Sequence, residues 1–276
     1  MVFDMTYDIV LPMGAGCPTA MSLSHHSMRF LSYPFDWHKV GSIDNSAHLL
    51  ASRFNDFLHL DDLRICETEE EAHHLIVENT RWGYSSYHDF PKNRELSDSL
   101  PDVVKKYQRR ISRLTAQLDS GQKVLLLYMD YPLEQNELTS QQLLDALARV
   151  QQTYPNSSFS LLYIHNDESR QYSNRLEKQI SDHICQVSMA YNAHCAESPW
   201  LVHYAALTFL FSRINISTTN KDKSTLKRYI AWRRNIGTSE HNYLKRQRFA
   251  TNFADLILRK KSVWQIAKVI YELMKH

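Results

Sequence analysis

The chain has 276 residues, 43% of them hydrophobic, and carries 32 Lys and Arg against 30 Asp and Glu, for a net charge of +2. This composition excludes an intrinsically disordered protein and supplies enough apolar side chains for one large domain, or one domain with an appendage. No apolar run approaches the roughly 20 residues of a membrane-spanning helix, and the acidic start MVFDMTYDIV lacks the features of a signal peptide, so we expect a cytoplasmic protein.

The chain opens with a strand that leads directly into a helix. The apolar run YDIVLPM ends at a glycine-flanked turn and predicts a buried strand, and Pro18 favours the first position of a helix that continues to about His25. Cys17 is then the predicted N-cap of this helix. Unpaired amides and the positive end of the helix dipole surround that position, so we expect a Cys17 pKa below the ordinary value.

The next elements alternate between helices and strands. Helical spacing of apolar residues predicts a helix over 45–58, and HHLIVEN and YSSYHDF predict two short strands around a turn. Pro101 begins a long predicted helix that ends at about Leu118. KVLLLYMD and SFSLLYIH predict buried strands with the helix SQQLLDALARVQQTYP between them, and a further strand is expected over 184–189.

This alternation predicts an α/β fold with a mainly parallel, doubly wound sheet, whose sites lie at the C-terminal ends of the strands. We expect an α/β domain over 1–200 that carries Cys17, and a basic helical region over 201–276. Residues 221–276 hold 14 Lys and Arg against 4 Asp and Glu. Two interpretations stay open: solvated helix faces that dock on the acidic body, or a surface for an anionic ligand or membrane.

One stretch of the chain resembles a known family. Within LPMGAGCPTAMSLSHHSMRFLSYPFDWHKVG, the order G-x-G-C, A-x-x-L and M-R-x-x-S-x-P-F-D-W resembles the N-terminal signature of the papain-like cysteine peptidases, a bacterial domain family of unknown function. YHDF at 87–90 and KKYQRRISRL at 105–114 continue the likeness, which covers about the first half of the chain. The resemblance implies a thiol site more firmly than it implies proteolysis.

A cysteine nucleophile needs a base for its proton and a third group that orients the imidazole of that base. We assign the nucleophile to Cys17, the base to His88 and the third role to Asp36 in the P-F-D-W block. Asp89 is the less favoured third group, because neighbours on an extended strand project to opposite faces. His165, at the end of SFSLLYIH, is the second candidate for the base.

These residues predict acyl transfer without a cofactor or metal, and the sequence does not assign cofactor-binding residues. The chain has no P-loop, no complete G-x-G-x-x-G and no zinc-type Cys or His spacing. The acyl acceptor is left open between water, as in a peptidase or other hydrolase, and a sugar hydroxyl, as in a transferase of bacterial surface-polysaccharide biosynthesis. The expected partner is therefore a small-molecule, peptide or glycan substrate.

A non-catalytic binding protein, in which Cys17 only caps a helix, is the alternative from another functional class. The four cysteines are expected to be reduced, with no disulfide partner.

Overall fold

The computed structural model describes residues 1–14, 16–66, 74–130, 136–170, 174–191 and 204–217, which form a mixed α/β fold. The strands, in chain order, are β1 (Thr6–Tyr7), β2 (Ile9–Pro12), β3 (His38–Val40), β4 (Leu63–Ile65), β5 (His74–Asn79), β6 (Tyr84–Pro91), β7 (Lys123–Met129), β8 (Ser158–Asn166), β9 (Leu176–Ser181), β10 (Ile184–Met189) and β11 (Asn215–Ile216). The helices are α1 (Cys17–His25), α2 (Ile43–Ala51), α3 (Leu96–Asp119), α4 (Ser140–Thr153) and α5 (Tyr204–Phe211).

The main sheet has five strands in the order β2-β7-β8-β10-β9. Every neighbouring pair is parallel except β10 with β9, which is antiparallel at the edge. The inner strands β7, β8 and β10 are buried along almost their whole length, as continuous apolar runs of this kind predict. The mainly parallel sheet predicted from the sequence is therefore confirmed.

The two faces of the main sheet pack into separate apolar clusters, because side chains alternate along each strand. On one face, Leu126 and Leu161 belong to a cluster that also holds Val40, Val77 and Phe90 from the second sheet and apolar residues of α2, α3 and α4. We call this the second-sheet face. The opposite face packs with residues of α1 and α5.

The second sheet is antiparallel, in the order β3-β6-β5-β4. The predicted strand pair HHLIVEN and YSSYHDF corresponds to β5 and β6, which are joined by a turn that ends at Gly83, in the left-handed region at a φ of 61°. Strands β3 and β4 have three residues each, too few for an alternating pattern to identify them.

Two helix boundaries differ from the prediction. Helix α2 ends at Ala51 rather than at residue 58, since the chain turns through positive φ at Arg53, Phe54 and Asp56. Helix α3 begins at Leu96, five residues before Pro101, so this proline lies inside the helix rather than at its start.

Little of the predicted C-terminal region falls on described residues. Helix α5 lies there, but the helices expected from residue 223 onward, with their anionic or membrane partner, lie outside the described residues. The doubly wound arrangement and the domain boundary at residue 200 stay predictions. In the part of the chain that the structure describes, no helix has the length and apolar character needed to cross a membrane.

Candidate thiol site

The turn after β2 sets the position of Cys17. Gly16, at a φ of 75°, is the N-cap of α1, and Cys17 occupies the first helical position rather than the predicted N-cap. A Cβ at Gly14 would overlap the Tyr128 ring, so the chain passes here only because the residue is glycine. Thr19 Oγ1 donates to the Gly14 carbonyl and closes the turn.

The second sheet brings His88 to Cys17. His88 lies on β6, and its Nε2 is 3.4 Å from Cys17 Sγ, although the two residues are 71 positions apart in the chain. Cys17 is half-buried and His88 is exposed on its strand. A thiol and an imidazole at this distance are within range for direct proton transfer.

Aromatic side chains hold the His88 ring. Trp37 packs edge-on against it with ring centroids 6.1 Å apart, and the His74 ring lies 6.3 Å away. The Arg29 guanidinium covers Trp37 at 5.6 Å from the ring centroid. The imidazole is therefore oriented by packing on at least two sides.

Asp36 lies in a separate polar network. Its side chain is fully buried, pairs with the Arg29 guanidinium and accepts a hydrogen bond of 2.8 Å from the backbone amide of Tyr33. Burial raises the pKa of Asp36, and the Arg29 charge opposes that rise. Among the described residues Asp36 has no hydrogen bond to His88, and it reaches the imidazole only through Arg29 and the Trp37 ring. Its role as third group stays a prediction.

Asp89 faces away from His88 into a buried network. It accepts hydrogen bonds from Ser86 Oγ at 2.6 Å and from the Tyr107 hydroxyl at 2.8 Å, and its Oδ2 lies 3.3 Å from His38 Nε2. Lys106 forms an ion pair with the same carboxylate. Burial alone would raise the pKa of Asp89, but His38 and Lys106 outweigh burial and hold that pKa well below its usual range.

Burial acts on both members of the thiol and imidazole pair. Burial raises the pKa of Cys17 to about 11. The carboxylates of Asp36 and Asp89 add to this rise, and the hydrogen bond from the backbone amide of Cys17 opposes it. Burial and the nearby His74 ring lower the pKa of His88, and Asp89 opposes them. Both shifts favour the uncharged forms.

The pair is therefore a neutral thiol and imidazole at rest, which differs from the thiolate expected at a helix start. Burial therefore opposes the effect of the helix start on Cys17.

His165, the second candidate for the base, has another partner, and so do His26 and His38, which lie close to Cys17 in the sequence. His26 lies 2.7 Å from the Ser22 carbonyl and 2.8 Å from Thr208 Oγ1, and His38 belongs to the Asp89 network. His165 is 2.5 Å from Asp130 on the main sheet. His88 thus lies within hydrogen-bond range of Cys17 Sγ, whereas His26, His38 and His165 do not.

The sequence alone did not identify Arg29 and Asp130 as candidate functional residues. Arg29 stands in the M-R-x-x-S-x-P-F-D-W block, where its position before the aspartate was the available signal for a pair with Asp36. Asp130 directly follows the apolar run of β7, a position at the C-terminal edge of a parallel sheet where functional polar side chains gather.

No metal site accompanies the thiol in the described ranges, where no group of three or more His, Cys, Asp and Glu side chains converges. His183, Cys185, His194 and Cys195 lie close together in the sequence without a zinc-type spacing, and the last two lie outside the described residues.

The chain was compared with protein families, curated proteins and solved structures. No curated protein and no solved structure gives a significant match. A family model described as "Putative papain-like cysteine peptidase (DUF1796)" matches residues 8–169, which is more than half of the chain. The matched region contains Cys17, Asp36 and His88 and extends four residues past His165. The resemblance seen in the first half of the sequence is thus confirmed, and the chain belongs to this family of papain-like cysteine peptidases.

Proposed function

We propose that the protein is a thiol-dependent acyl-transfer enzyme in which Cys17 is the nucleophile and His88 its base. The observation that carries the proposal is the 3.4 Å separation of Cys17 Sγ and His88 Nε2. Cys17 begins α1 just after the parallel strand β2 of the main sheet, and His88 lies on β6 of the second sheet. The family description adds a peptidase as the first activity to test.

The neutral resting pair sets the order of proton transfer. As Sγ attacks the carbonyl carbon of the substrate, His88 Nε2 takes the thiol proton, and the imidazolium then gives this proton to the leaving group. A charged pair is needed only in the transition state, where the new charge on the substrate oxygen is also stabilised. General base catalysis of this kind contributes about 10²- to 10⁴-fold.

The start of α1 offers donors for that oxygen. The backbone amides of Cys17 and Thr19 are among the first amides of the helix, which lack partners within it, and Pro18 between them has no amide. In the proposed mechanism one or both of these amides bind the oxyanion, and the positive end of the helix dipole adds to their effect.

Asp36 takes a positioning role in this proposal. It pairs with the Arg29 guanidinium, Arg29 covers the Trp37 ring, and Trp37 packs edge-on against the His88 ring. The third member of the site therefore acts through packing rather than through a hydrogen bond to the imidazole. The doubly wound sheet and the basic helical region after residue 200 stay predictions for the full chain.

A burst assay with p-nitrophenyl acetate tests the proposal. We expect one equivalent of p-nitrophenolate to be released rapidly and an acetyl group to appear on the Cys17 peptide by mass spectrometry. Cys17→Ser should abolish the burst, and His88→Gln should slow it about 100-fold.

His59→Gln is the matched control, because His59 is a surface histidine with 60% of its side chain exposed and Asp61 as its ion-pair partner. This control should behave as wild type. Absence of a burst in the wild-type protein, or a burst of the same rate in His88→Gln, would overturn the proposal.

A further inference from the structure

A second histidine with a carboxylate partner lies on the main sheet. His165 Nδ1 is 2.5 Å from Asp130 Oδ2, which also accepts hydrogen bonds from the Tyr163 hydroxyl at 3.0 Å and from the Asn166 amide at 3.4 Å. The Tyr163 hydroxyl in turn accepts from the Leu138 amide at 3.1 Å. A carboxylate fixed by so many donors has one orientation, and it determines which ring nitrogen of His165 carries the proton.

Among the described residues, the other ring nitrogen of His165 has no partner. Within the described part of the chain Nε2 has no hydrogen-bond partner, while 90% of the side chain is buried, leaving 10% exposed. A buried imidazole normally has both nitrogens satisfied. Here one nitrogen is held by Asp130, and the other, without a partner among the described residues, is available to accept a proton.

Polar side chains continue across the same face of the sheet. Ser188 is the register partner of His165 on β10, and Gln186 lies two residues earlier on the same face. Gln186 Nε2 donates to Ser188 Oγ at 3.2 Å and to Glu137. Buried positions of a parallel sheet are usually apolar, so this row of hydroxyl, amide and carboxylate groups is unusual and offers hydrogen-bond partners to a polar ligand.

This row lies at the same edge of the sheet as Cys17. Cys17 follows β2, Asp130 follows β7 and His165 lies near the end of β8, three adjacent parallel strands. Two strand spacings separate β2 from β8, about 10 Å. Asp130 and His165 alternate with Met129 and Ile164 of the α1 and α5 cluster, which places them on the second-sheet face. The sheet that packs on this face also supplies His88.

We propose that Asp130 and His165 form a second acid–base pair, which activates the hydroxyl group of a neutral polyol or sugar as acyl acceptor. This inference rests on the proposed function, because it needs an acyl group on Cys17. Each pair would then serve one half-reaction: Cys17 with His88 forms the thioester, and His165 with Asp130 delivers the acceptor.

The second half-reaction balances without a further reagent. His165 Nε2 takes the proton of the acceptor hydroxyl as its oxygen bonds to the thioester carbonyl carbon. The bond from that carbon to Cys17 Sγ breaks, and the electron pair stays on sulfur as a thiolate. The proton passes from Nε2 to the thiolate through solvent, which restores both pairs and releases the ester.

The charges around His165 suit a base in this step. The Asp130 hydrogen bond raises the pKa of His165 despite burial, and the charges of Asp130, Glu137 and Asp167 add to this rise. The acidic surroundings disfavour an anionic acceptor, which agrees with a neutral one. Since the base must be unprotonated, acceptor transfer should increase with pH through a value above the ordinary histidine pKa of about 6.5.

Partition of the acetyl-enzyme tests the inference. The full chain is acetylated at Cys17 with p-nitrophenyl acetate, and decay of the adduct is followed by mass spectrometry in buffer and with added glycerol or methyl glucoside. His165→Gln should acetylate with the wild-type burst, which also reports that the variant is folded, but should transfer the acetyl group to either polyol about 100-fold more slowly. Asp130→Asn should slow the same transfer, and the surface control His59→Gln should not.

The possible outcomes separate the two proposals. No burst in the wild-type protein overturns the proposed function and this inference with it. A normal burst with equal polyol transfer in wild type and His165→Gln overturns the inference alone. A normal burst with no effect of either polyol on wild-type decay also overturns it, since the acceptor is then water. Slower polyol transfer in both His165→Gln and Asp130→Asn supports it.

Discussion

Cys17 Sγ and His88 Nε2 lie 3.4 Å apart, yet burial favours the uncharged form of each residue. The site is therefore organised so that the base is in place before the nucleophile is ionised. Burial of Cys17, which contacts His88 of the second sheet, therefore outweighs the effect of the helix terminus on its pKa.

The neutral resting pair predicts no thiolate absorbance from Cys17 at pH 7. Because burial raises the pKa of Cys17 to about 11, the thiolate absorbance near 240 nm that is lost in Cys17→Ser should develop only above about pH 9. Cys66→Ser is the control for another half-buried free thiol. A difference in absorbance between wild type and Cys17→Ser at pH 7 would instead indicate a stable ion pair.

Asp36→Asn should lower the stability of the protein and change the pH dependence of Cys17 alkylation. Arg29, only 9% exposed, would lose its charged partner, and breaking a buried pair costs about 3 to 5 kcal/mol in the free energy of unfolding. Loss of the nearby carboxylate charge should also move the alkylation inflection of Cys17 to lower pH. An unchanged inflection together with an unchanged burst rate, in a variant that is folded, would show that Asp36 has no influence on the site.

Asp89→Asn should destabilise the fold in a pH-dependent manner. The folded pKa of Asp89 is below its unfolded value, so its charge stabilises the protein fully above about pH 4, and this contribution is lost as the pH falls through the folded pKa. We expect a loss of about 3 kcal/mol at pH 7, measured by urea unfolding, and a smaller loss below about pH 4. A pH-independent difference would mean that shape, rather than charge, sets the effect.

Gly14→Ala should disturb the thiol site from outside it. The added Cβ would overlap the Tyr128 ring, which is 3% exposed on β7 and has little room to move. Overpacking of this kind costs about 1 to 3 kcal/mol and should displace the turn that carries Cys17, which would slow alkylation. Gly14→Ala with Tyr128→Leu should recover part of both losses. A single variant with wild-type stability and alkylation rate would exclude this account of the turn.

The main sheet was predictable from sequence because continuous apolar runs such as those of β7 and β8 have few other interpretations. The turn that carries Cys17 was also predictable, because a buried strand followed by two glycines and Pro18 indicates a strand-to-helix turn. The predicted N-cap was wrong by one residue, since Gly16 rather than Cys17 caps α1. The sequence also predicted His88 as the base, because the YHDF motif resembles the family.

Other features depend on contacts between segments that are distant in the chain. The sequence places Arg29 close to Asp36 but does not show that the two side chains pair, or that Trp37 rather than a carboxylate packs against the His88 ring. The raised pKa of Cys17 could not be derived either, because burial by the second sheet is a tertiary effect that opposes the local effect of the helix start.

The central claim, that His88 activates Cys17, is tested most directly by the rate of Cys17 alkylation with iodoacetamide as a function of pH, followed by peptide mass spectrometry in wild type, His88→Gln and His59→Gln. Glutamine retains most of the volume of the imidazole, so Cys17 stays enclosed while the base is lost. We predict that His88→Gln lowers the rate at pH 7 at least tenfold, that His59→Gln matches wild type, and that the rate of His88→Gln approaches the wild-type rate toward pH 11, where the thiol ionises without a base. Equal rates at pH 7 in wild type and His88→Gln would contradict the account.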